Sequence, residues 1–337
     1  MTSYGAPVCM KKQFLPAFIL CILSVFLPVQ ESFSWGFYAH KRINRMAVFT
    51  LPPAMIGFYK KHIGYLTAHA VDPDRRRYSD PNEAARHFLD SDHYGVHPFD
   101  SIPHYWKDAL NKYGEDSLLL HGILPWHIER MVYRLSEAFR ERDLGHILHY
   151  SADLGHYVAD AHVPLHTTKN YNGQLTDQKG IHAFWESRIP ELKAESYSFS
   201  TGRSVYLQNP LESAWVAVRQ SYEAKDSVLL FEAMLSAKFP SDQKYSFETK
   251  GGGLVRVYSE TYTNAYNAML GNMVERRMVE AVRMIGCMWY SAWVNAGQPD
   301  LTRLGNLTAS DSLNVESKRE KSKWRKGNSK VPFGRPE

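Results

Sequence analysis

The stretch HYVADAHVPLH, residues 156–166, places three histidines and one aspartate in a segment that otherwise has the pattern of a buried helix running into a proline. His156 and Asp160 are four residues apart, so a helix puts their side chains on one face, within reach of a common ion. His166 follows Pro164, where the helix is expected to end and the chain can turn another ligand back. The stretch therefore predicts a ligand-bearing helix that the rest of the fold must enclose.

The same four-residue spacing recurs downstream, where His182 and Glu186 occur in GIHAFWES on what we predict to be a second helix. Upstream, Asp72 and His87 are fifteen residues apart. All fifteen histidines of the chain lie at or before His182, a clustering that random placement would rarely produce. Imidazole and carboxylate ligands together suit zinc or a similar divalent ion. These residues are therefore candidate metal ligands.

Not every histidine in this region is predicted to be a ligand. A single histidine and aspartate at four-residue spacing form a surface contact more often than a metal site. His149 and Asp153 have this spacing one heptad before the ligand pair, and we interpret them as polar core residues or as supports for the ligands. The same interpretation applies to His93, His146 and His162.

Helical periodicity dominates the chain wherever the pattern is clear. Segments 126–139 and 274–294 both carry an apolar stripe at three- and four-residue spacing, and the second stops at the sequence NAGQP. Alternating strand patterns are scarce, and no repeat at solenoid period is present. We therefore predict an all-α, compact multi-helix single domain over residues 35–299, with long connections at 90–122 and 167–181.

Residues 1–34 have the organisation of a signal peptide. Two lysines precede a short apolar run, and a small-x-small site, SFS, comes directly before Trp35. Cleavage before Trp35 would export the mature protein, so we expect a secreted or periplasmic location. An uncleaved membrane anchor is the alternative, although the apolar run is short for a membrane span.

The cysteine content bears on how the mature chain is stabilised. Export would remove Cys9 and Cys21 and leave Cys287 in an apolar stretch, where we expect an inert core residue. An exported protein without a disulfide must derive its stability from packing or from metal.

The C-terminal segment, residues 300–337, carries much of the formal net charge of +5. It has low hydrophobicity and no periodicity. We predict a basic, disordered tail there, with a weak attraction to anionic surfaces as the alternative.

Together, these residues resemble the zinc-dependent phospholipase C and S1/P1 nuclease superfamily, whose members are secreted all-α phosphoesterases with three zinc ions. The resemblance extends over roughly residues 35–186 and implies the all-α fold type of that superfamily. Members begin their mature chain with a tryptophan whose α-amino nitrogen and carbonyl oxygen bind zinc. The predicted mature chain begins at Trp35, in WGFYAH. Each motif alone is weak, whereas their combination is highly specific.

The resemblance implies a ligand set for three zinc ions. The first ion would be held by Asp72, His87, His156 and Asp160, with Asp160 bridging to another ion. The second would be held by His166, His182 and Glu186, and the third by the Trp35 terminus, His40 and Asp160. The resemblance thus explains the first stretch as a metal-binding helix that serves three sites.

The resemblance specifies the chemistry better than the substrate. The spacings from Asp72 to His87 and from Trp35 to the next ligand are similar to the nuclease branch. Glu186 in place of an aspartate, and the short ligand loop that contains TTKNYNG, are similar to the phospholipase branch. We therefore expect a phosphodiester substrate, either a phospholipid or single-stranded nucleic acid, and no obligate protein partner.

The implied ligand set suits hydrolysis of phosphate esters. Two zinc ions about 3.5 to 4 Å apart can hold a bridging hydroxide and aim it at phosphorus, while a third offsets charge on the phosphoryl oxygens. Asp72 is the candidate to orient or deprotonate the attacking water. Arg75 could pair with a phosphoryl oxygen, or form an ordinary salt bridge within the basic run at 75–77.

Two other classes of function stay open from the sequence. A non-catalytic zinc-binding protein of the cell envelope would keep the same ligands for stability. A heme or electron-transfer protein would also use histidines, but the accompanying carboxylates suit zinc better than heme iron. Hydrolysis of a generic phosphodiester separates a secreted hydrolase from a binding protein.

Overall fold

Helices account for almost all regular structure in residues 1–2, 36–250 and 252–304, which are the residues that the computed structural model describes. The predicted all-α class is therefore confirmed. Trp35, all but the first two residues of the predicted signal peptide, and the chain beyond residue 304 lie outside the described residues. The α-helices, in chain order, are α1 (Phe37–Ala47), α2 (Pro53–Lys61), α3 (Ile63–His69), α4 (Asp72–Arg76), α5 (Pro98–Ser101), α6 (Trp106–Tyr113), α7 (Glu115–His121), α8 (Leu124–Glu141), α9 (Leu144–Asp160), α10 (Ile181–Ala183), α11 (Ile189–Lys193), α12 (Pro210–Ser236), α13 (Glu260–Met269) and α14 (Met273–Asn295).

The central helix of the fold is α9. Every residue from 151 to 168 is buried, which covers the second half of α9 and the 3-10 turn Pro164–Thr167 that follows it. Helices α1, α3, α4, α8 and α14 pack around α9. A helix enclosed in this way holds His156 and Asp160 in the interior, which agrees with the burial predicted for this helix.

Polar caps determine where three of the helices begin. The side chains of Asp143, Asn209 and Ser259 each accept a hydrogen bond from a backbone N–H in the first turn of α9, α12 and α13, respectively. Such caps satisfy N–H groups that have no partner within the helix, and each contributes about 1 kcal/mol. The cap at Asp143 thereby helps to set the start of the helix that carries His156 and Asp160.

Helices α1 and α9 approach closely because Gly155 has no side chain. A Cβ at Gly155 would overlap the side chain of Asn44, whose amide nitrogen donates to the carbonyl oxygen of Ala152 at 3.0 Å. The close contact brings His40 of α1 against His156 of α9, with the two rings stacked and their centroids 3.9 Å apart. A small residue at the helix crossing thus places a histidine from each helix in one cluster.

The two apolar stripes of the sequence are buried helix faces, as predicted. The stripe of α8 consists of Ile128, Met131, Val132, Leu135 and Phe139. The stripe of α14 consists of Val274, Met278, Ala281, Val282, Ile285, Trp289 and Trp293. Helix α14 ends at Asn295, just before Gly297, whose φ of +84° is a conformation that glycine adopts without strain.

Two parts of the chain contain regular structure that the sequence did not predict. Residues 90–122, predicted as a long connection, contain the short helices α5, α6 and α7. Residues 245–258 contain an antiparallel pair of strands, β1 (Tyr245–Lys250) and β2 (Gly253–Tyr258), in which Tyr245 pairs with Tyr258. Elements this short offer too few residues for a clear periodicity, so the pattern analysis missed them.

The packed domain continues beyond its predicted end at Pro299. Leu301 and Leu304 are buried, and the indole nitrogen of Trp293 donates to the Pro299 carbonyl oxygen at 3.0 Å. Residues 300–304 are therefore part of the domain rather than of the predicted tail, because two apolar side chains fix them to the core.

Cys287 of α14 is buried and forms no disulfide, in agreement with its predicted place in the core. Its sulfur accepts a hydrogen bond from the backbone N–H of Val205. Among the helices that the structure describes, none combines the length and the apolar character needed to cross a membrane.

Candidate metal centre

Six segments bring histidines and carboxylates together around the C-terminal end of α9. They are α1, α4, the residue after the 3-10 turn Ala84–Arg86, α9 itself, the 3-10 turn after α9, and the region around α10. The side chains are His40, Asp74, His87, His156, Asp160, His166, His182 and Glu186, and all except His182 are buried. Within the described residues they form three groups, each with one potential ligand atom per residue and all of its atoms within 4.8 Å of one another.

The first group consists of His87, His156 and Asp160. Asp160 Oδ2 lies 2.9 Å from His87 Nδ1 and 3.2 Å from His156 Nε2. The two ring nitrogens are themselves 3.1 Å apart. Three potential ligand atoms therefore converge on one point, and they come from residues that the sequence assigned to the first zinc site.

Asp74 occupies the place beside this group that the sequence assigned to Asp72. Asp74 Oδ1 lies 3.6 Å from His156 Nε2 and 3.7 Å from His87 Nδ1. Asp74 also forms the second group, together with His40 and His156. Residues two apart on a helix point in nearly opposite directions, so α4 can turn only one of the two aspartates toward the cluster. The structure does not bring Asp72 into any of the three groups.

The two carboxylate oxygens of Asp160 face different histidines. Oδ2 lies toward His87 and His156, whereas Oδ1 lies 3.4 Å from His40 Nε2 and 3.7 Å from His166 Nδ1. Oδ1 is fully buried and has no hydrogen-bond partner in the described residues. A carboxylate placed in this way can contact two cations at once, which is the geometry that the bridging role predicted for Asp160 requires.

The third group consists of His166, His182 and Glu186. His182 Nε2 lies 3.1 Å from His166 Nε2 and 3.0 Å from Glu186 Oε2. Helix α10 passes directly into a π-helical turn, Phe184–Arg188, so Glu186 lies in a segment type that is frequent at functional sites. The side chain of His182 is 17% exposed, which makes it the ligand candidate with the most access to solvent.

The β-hairpin holds the π-helical turn in place. Both outer nitrogens of Arg188 donate to the carboxylate of Glu248 in β1, and its Nε donates to the Tyr258 carbonyl oxygen at 3.0 Å. The ring of Phe184 stacks on the ring of Tyr258, with centroids 3.8 Å apart. The hairpin, which the sequence did not predict, therefore anchors the segment that carries Glu186.

Residue 36 also lies beside the π-helical turn. The backbone nitrogen of Gly36 donates to Ser187 Oγ at 3.2 Å, and a Cβ at Gly36 would overlap the Ser187 side chain. Ser187 follows the ligand candidate Glu186, and Trp35 precedes Gly36 in the sequence. The residue next to the predicted mature terminus is thus in contact with the segment that carries the candidate ligand Glu186.

Backbone carbonyl groups fix the orientation of two candidate ligands. His156 Nδ1 donates to the Ala70 carbonyl oxygen at 2.9 Å, which leaves Nε2 toward the first group. His166 Nδ1 donates to the carbonyl oxygen of His87 at 2.6 Å, which leaves Nε2 toward the third group. A proton held on one ring nitrogen keeps the lone pair on the other, and metal-ligating histidines use such bonds in the same way.

Burial and close charges shift the pKa values of this cluster in opposite directions. Burial lowers the pKa of His40, and the neighbouring His156 lowers it further. Burial would also lower the pKa of His156, but Asp160 and Asp74 outweigh it and raise that pKa to about 9. Burial would raise the pKa of Asp160, but His156 and His166 hold it well below its usual range. The site therefore keeps a buried carboxylate ionised and favours a positive charge beside it.

The cluster contains buried polar atoms that a cation would satisfy. Both ring nitrogens of His40 and Oδ1 of Asp160 are buried without a hydrogen-bond partner in the described residues. An unsatisfied buried polar group costs about 1 to 3 kcal/mol, so native structures rarely keep several in one place. Imidazole nitrogens with carboxylate oxygens are a donor set that fits zinc. These residues could therefore hold metal ions.

Asp72 and Arg75, the predicted catalytic residues, contact each other. Arg75 Nη1 donates to Asp72 Oδ1 at 2.8 Å, and His69 Nδ1 lies 2.5 Å from Asp72 Oδ2. The guanidinium of Arg75 also lies over the ring of Phe37, 5.1 Å from its centroid. Arg75 thus forms the salt bridge that the sequence left open as one of its two roles.

The histidines that were not assigned to metal have other contacts. His149 lies 3.5 Å from Asp153, whose carboxylate accepts hydrogen bonds from Arg76. His162 Nδ1 donates to a backbone carbonyl oxygen, and His146 pairs with the cap residue of α9. His93 stacks on another histidine ring, and none of these residues belongs to the three groups.

Two functional candidates were missed in the sequence. Asp74 follows Asp72 by two positions, and only the helical geometry of α4 separates their roles. Glu83 is fully buried and lies 3.5 Å from His87 Nε2. Glu83 lies four residues before His87, the same spacing as in the other histidine–carboxylate pairs, so the sequence could have predicted that the two side chains share a face.

Comparison of the chain with protein-family models gave no match, and comparison with curated proteins gave none either. A function for the centre is therefore argued from the geometry and chemistry of its own residues.

Proposed function

We propose that the protein is a zinc-dependent hydrolase that cleaves phosphodiester bonds and carries three zinc ions. The main support is the position of Asp160, whose two oxygens face different pairs of histidines. A shared carboxylate between neighbouring cations is the arrangement that metal-dependent phosphoesterases need to act on one phosphate with more than one ion. The resemblance of the ligand spacing to the phospholipase C and S1/P1 nuclease superfamily supports the same reaction.

The described residues divide among the three proposed ions. The first ion would be held by His87, His156, Asp160 and Asp74, with Asp74 taking the place that the sequence assigned to Asp72. The second would be held by His166, His182 and Glu186. The third would be held by His40 and Asp160 together with the Trp35 terminus, which lies outside the described residues. Zinc at such a centre supplies Lewis-acid polarisation of phosphoryl oxygens.

Arg75 and Asp72 have roles beside the ions in this proposal. The oxygens of Asp72 are engaged by Arg75 and His69, which favours a positioning role for Asp72 over direct contact with the attacking water. The Arg75 side chain is 23% exposed, so its guanidinium keeps donors for a phosphoryl oxygen while Asp72 holds it. Together they would orient the phosphate group of the substrate.

The substrate is either a phospholipid or a single-stranded nucleic acid. His182 is the most exposed ligand candidate, and the ring of Tyr171 lies edge-on to it with centroids 6.1 Å apart. An aromatic ring at this place would stack on a nucleobase or contact an acyl chain. Tyr171 is therefore the side chain whose replacement should alter the Michaelis constant for whichever substrate is turned over.

The test compares both substrate classes in one assay. Mature protein beginning at Trp35 is incubated with phosphatidylcholine and, separately, with single-stranded DNA, before and after treatment with a chelator and after zinc is added back. Turnover that the chelator abolishes and zinc restores would support the proposal and identify the substrate class. His156→Ala serves as the control for a contaminating activity, because it removes a ligand candidate of the first group.

A non-catalytic zinc-binding protein is the second candidate function. It is favoured by burial, since seven of the eight side chains of the centre are buried and closed sites are typical of structural zinc. Bound zinc without turnover of either substrate would favour this candidate.

A further inference from the structure

Glu83 is a buried carboxylate whose surroundings tie it to the metal centre. Its Oε2 accepts hydrogen bonds from Arg86 Nη1 at 2.5 Å and from Arg76 Nε at 3.4 Å. Its Oε1 accepts a hydrogen bond from the hydroxyl of Tyr157 and lies 3.5 Å from His87 Nε2. Cationic and hydroxyl donors thus fix the carboxylate on one side, and the imidazole of His87 lies on the other.

The ring of His87 lies between Glu83 and the first ligand group. Its Nδ1 lies 2.9 Å from Asp160 Oδ2 and 3.1 Å from His156 Nε2, whereas its Nε2 lies toward Glu83. The Asp160 carboxylate accepts from Nδ1, and a cation bound by Asp160 would take the place of that proton. The Glu83 carboxylate, 3.5 Å from Nε2, would then stabilise the tautomer with the proton on Nε2 and the lone pair on Nδ1. Nδ1 of His87 therefore faces the first group, and Nε2 faces the Glu83 carboxylate.

The contacts of Glu83 also connect three segments that carry ligand candidates. Arg76 is two residues after Asp74 in α4, and its guanidinium donates to both oxygens of Asp153 in α9. Tyr157, which donates to Glu83, follows His156 in the same helix. Glu83 itself precedes His87 by four residues. Its hydrogen bonds therefore fix α4, α9 and the His87 segment relative to one another.

We propose that Glu83 is a positioning residue that holds His87 with its Nδ1 toward the metal ion, an inference that rests on the metal site proposed above. His156 and His166 are oriented for the same purpose by backbone carbonyl oxygens. The group beside Nε2 of His87 is instead a carboxylate oxygen, Glu83 Oε1 at 3.5 Å, so a single side-chain substitution can change it.

The first test reads the coordination of His87 directly. Protein loaded with cadmium-113 and labelled with nitrogen-15 on histidine is measured by NMR, and the His87 signals are assigned by their loss in His87→Gln. We expect cadmium coupling to Nδ1 and a proton on Nε2. Coupling to Nε2 would overturn the role of Glu83 and leave the proposed metal site intact. Absence of bound cadmium and zinc in the wild-type protein would overturn both.

The second test exchanges the Glu83 carboxylate for an amide. In Glu83→Gln the amide oxygen would turn toward Arg86 and Arg76, so the NH2 group would face His87 Nε2 and favour the proton on Nδ1. We expect about 10- to 100-fold weaker zinc binding, the usual effect of losing such a partner. The cadmium coupling to His87 Nδ1 should disappear as well.

Glu232→Gln is the matched control for this exchange. Glu232 is also a buried carboxylate that accepts a hydrogen bond from a tyrosine hydroxyl, that of Tyr262. Its other hydrogen-bond donors, Gln178 and Lys244, are not ligand candidates. We expect zinc binding by Glu232→Gln to match that of the wild-type protein. Unchanged zinc binding in Glu83→Gln, or equal weakening in both variants, would overturn the proposal. If Glu83→Gln does not fold, the NMR measurement on the wild-type protein decides.

Discussion

Oδ1 of Asp74 lies 3.6 Å from Nε2 of His156, in the place where the sequence predicted Asp72. We expect Asp74→Asn to lose one zinc ion per chain, because the substitution removes an anionic ligand from the first group. Asp72→Asn should keep the full zinc content and lose activity, because it releases Arg75 and His69. Zinc per chain, measured by mass spectrometry after gel filtration, checks both. The reverse pattern would assign the ligand role to Asp72.

Asp160→Asn should have the largest effect on metal content of any single substitution. The two oxygens of Asp160 face different histidines, so loss of the charge weakens two sites together. We expect more than one zinc ion to be lost per chain, and activity to fall below detection. Glu186→Gln, which changes one group alone, provides the comparison. Loss of a single ion in Asp160→Asn would contradict the bridging arrangement.

Removal of zinc should destabilise the folded protein. Zinc at 100 times its dissociation constant for one site stabilises the folded state by about 2.7 kcal/mol, so its removal should lower the Tm of a domain of this size by about 5 °C. Calorimetry with and without a chelator measures the change. His156→Ala should show little response to the chelator. An equal chelator response in that variant would indicate that the stabilising metal binds elsewhere.

The first residue of the mature chain should affect zinc content. Gly36 contacts Ser187, next to Glu186, and the resemblance implies that the α-amino group of Trp35 is a zinc ligand. We expect protein with two extra residues before Trp35 to bind one zinc ion fewer than protein that begins at Trp35. Mass spectrometry of the intact terminus provides the control for processing. Equal zinc content and equal activity in the two proteins would argue against a terminal ligand.

Stability should fall in acid partly because of Glu232. Burial would raise the pKa of Glu232, but hydrogen bonds from Gln178, Tyr262 and Lys244 outweigh it and lower the pKa. A carboxylate with a lowered pKa stabilises the fold above its unfolded pKa of about 4.3, and the contribution is lost as the pH falls through the lower folded value.

Glu232→Gln tests this pH dependence. We expect the substitution to lower the free energy of unfolding by about 1.5 to 3 kcal/mol near pH 6, the range for a hydrogen bond to a charged group. The difference from the wild-type protein should shrink below about pH 4.3, where the unfolded carboxyl becomes protonated. Urea titrations at several pH values measure it. An equal difference in the free energy of unfolding at pH 6 and pH 3 would show that the charge of the Glu232 carboxylate does not contribute to stability.

The long helices were predictable because burial repeats over several turns. The stripes of α8 and α14 extend through three or more turns, so single exceptions do not hide the period. The proximity of His156 to Asp160 and of His182 to Glu186 was predictable for the same reason, since spacing on a helix determines which side chains share a face. The hairpin and α5 to α7 contain too few residues for this reasoning.

The choice between Asp72 and Asp74 could not be made from spacing. Both aspartates lie within the five residues of α4, and either could reach a neighbouring histidine. Packing of α4 against α9, fixed by the contact between Arg76 and Asp153, turns Asp74 toward the cluster. The positioning role proposed for Glu83 could not be predicted from spacing either. A carboxylate near a candidate ligand indicates such a role only when the ring nitrogen that it faces is known.

The complete enclosure of residues 151–168 has a kinetic consequence. Side chains from six segments surround the end of α9, and the most solvent-accessible of them is His182. An ion that leaves the first group must cross this packed layer or wait until the segments separate. Exchange of the innermost metal should therefore be slower than exchange of the metal at His166, His182 and Glu186, so that a chelator removes the innermost ion last.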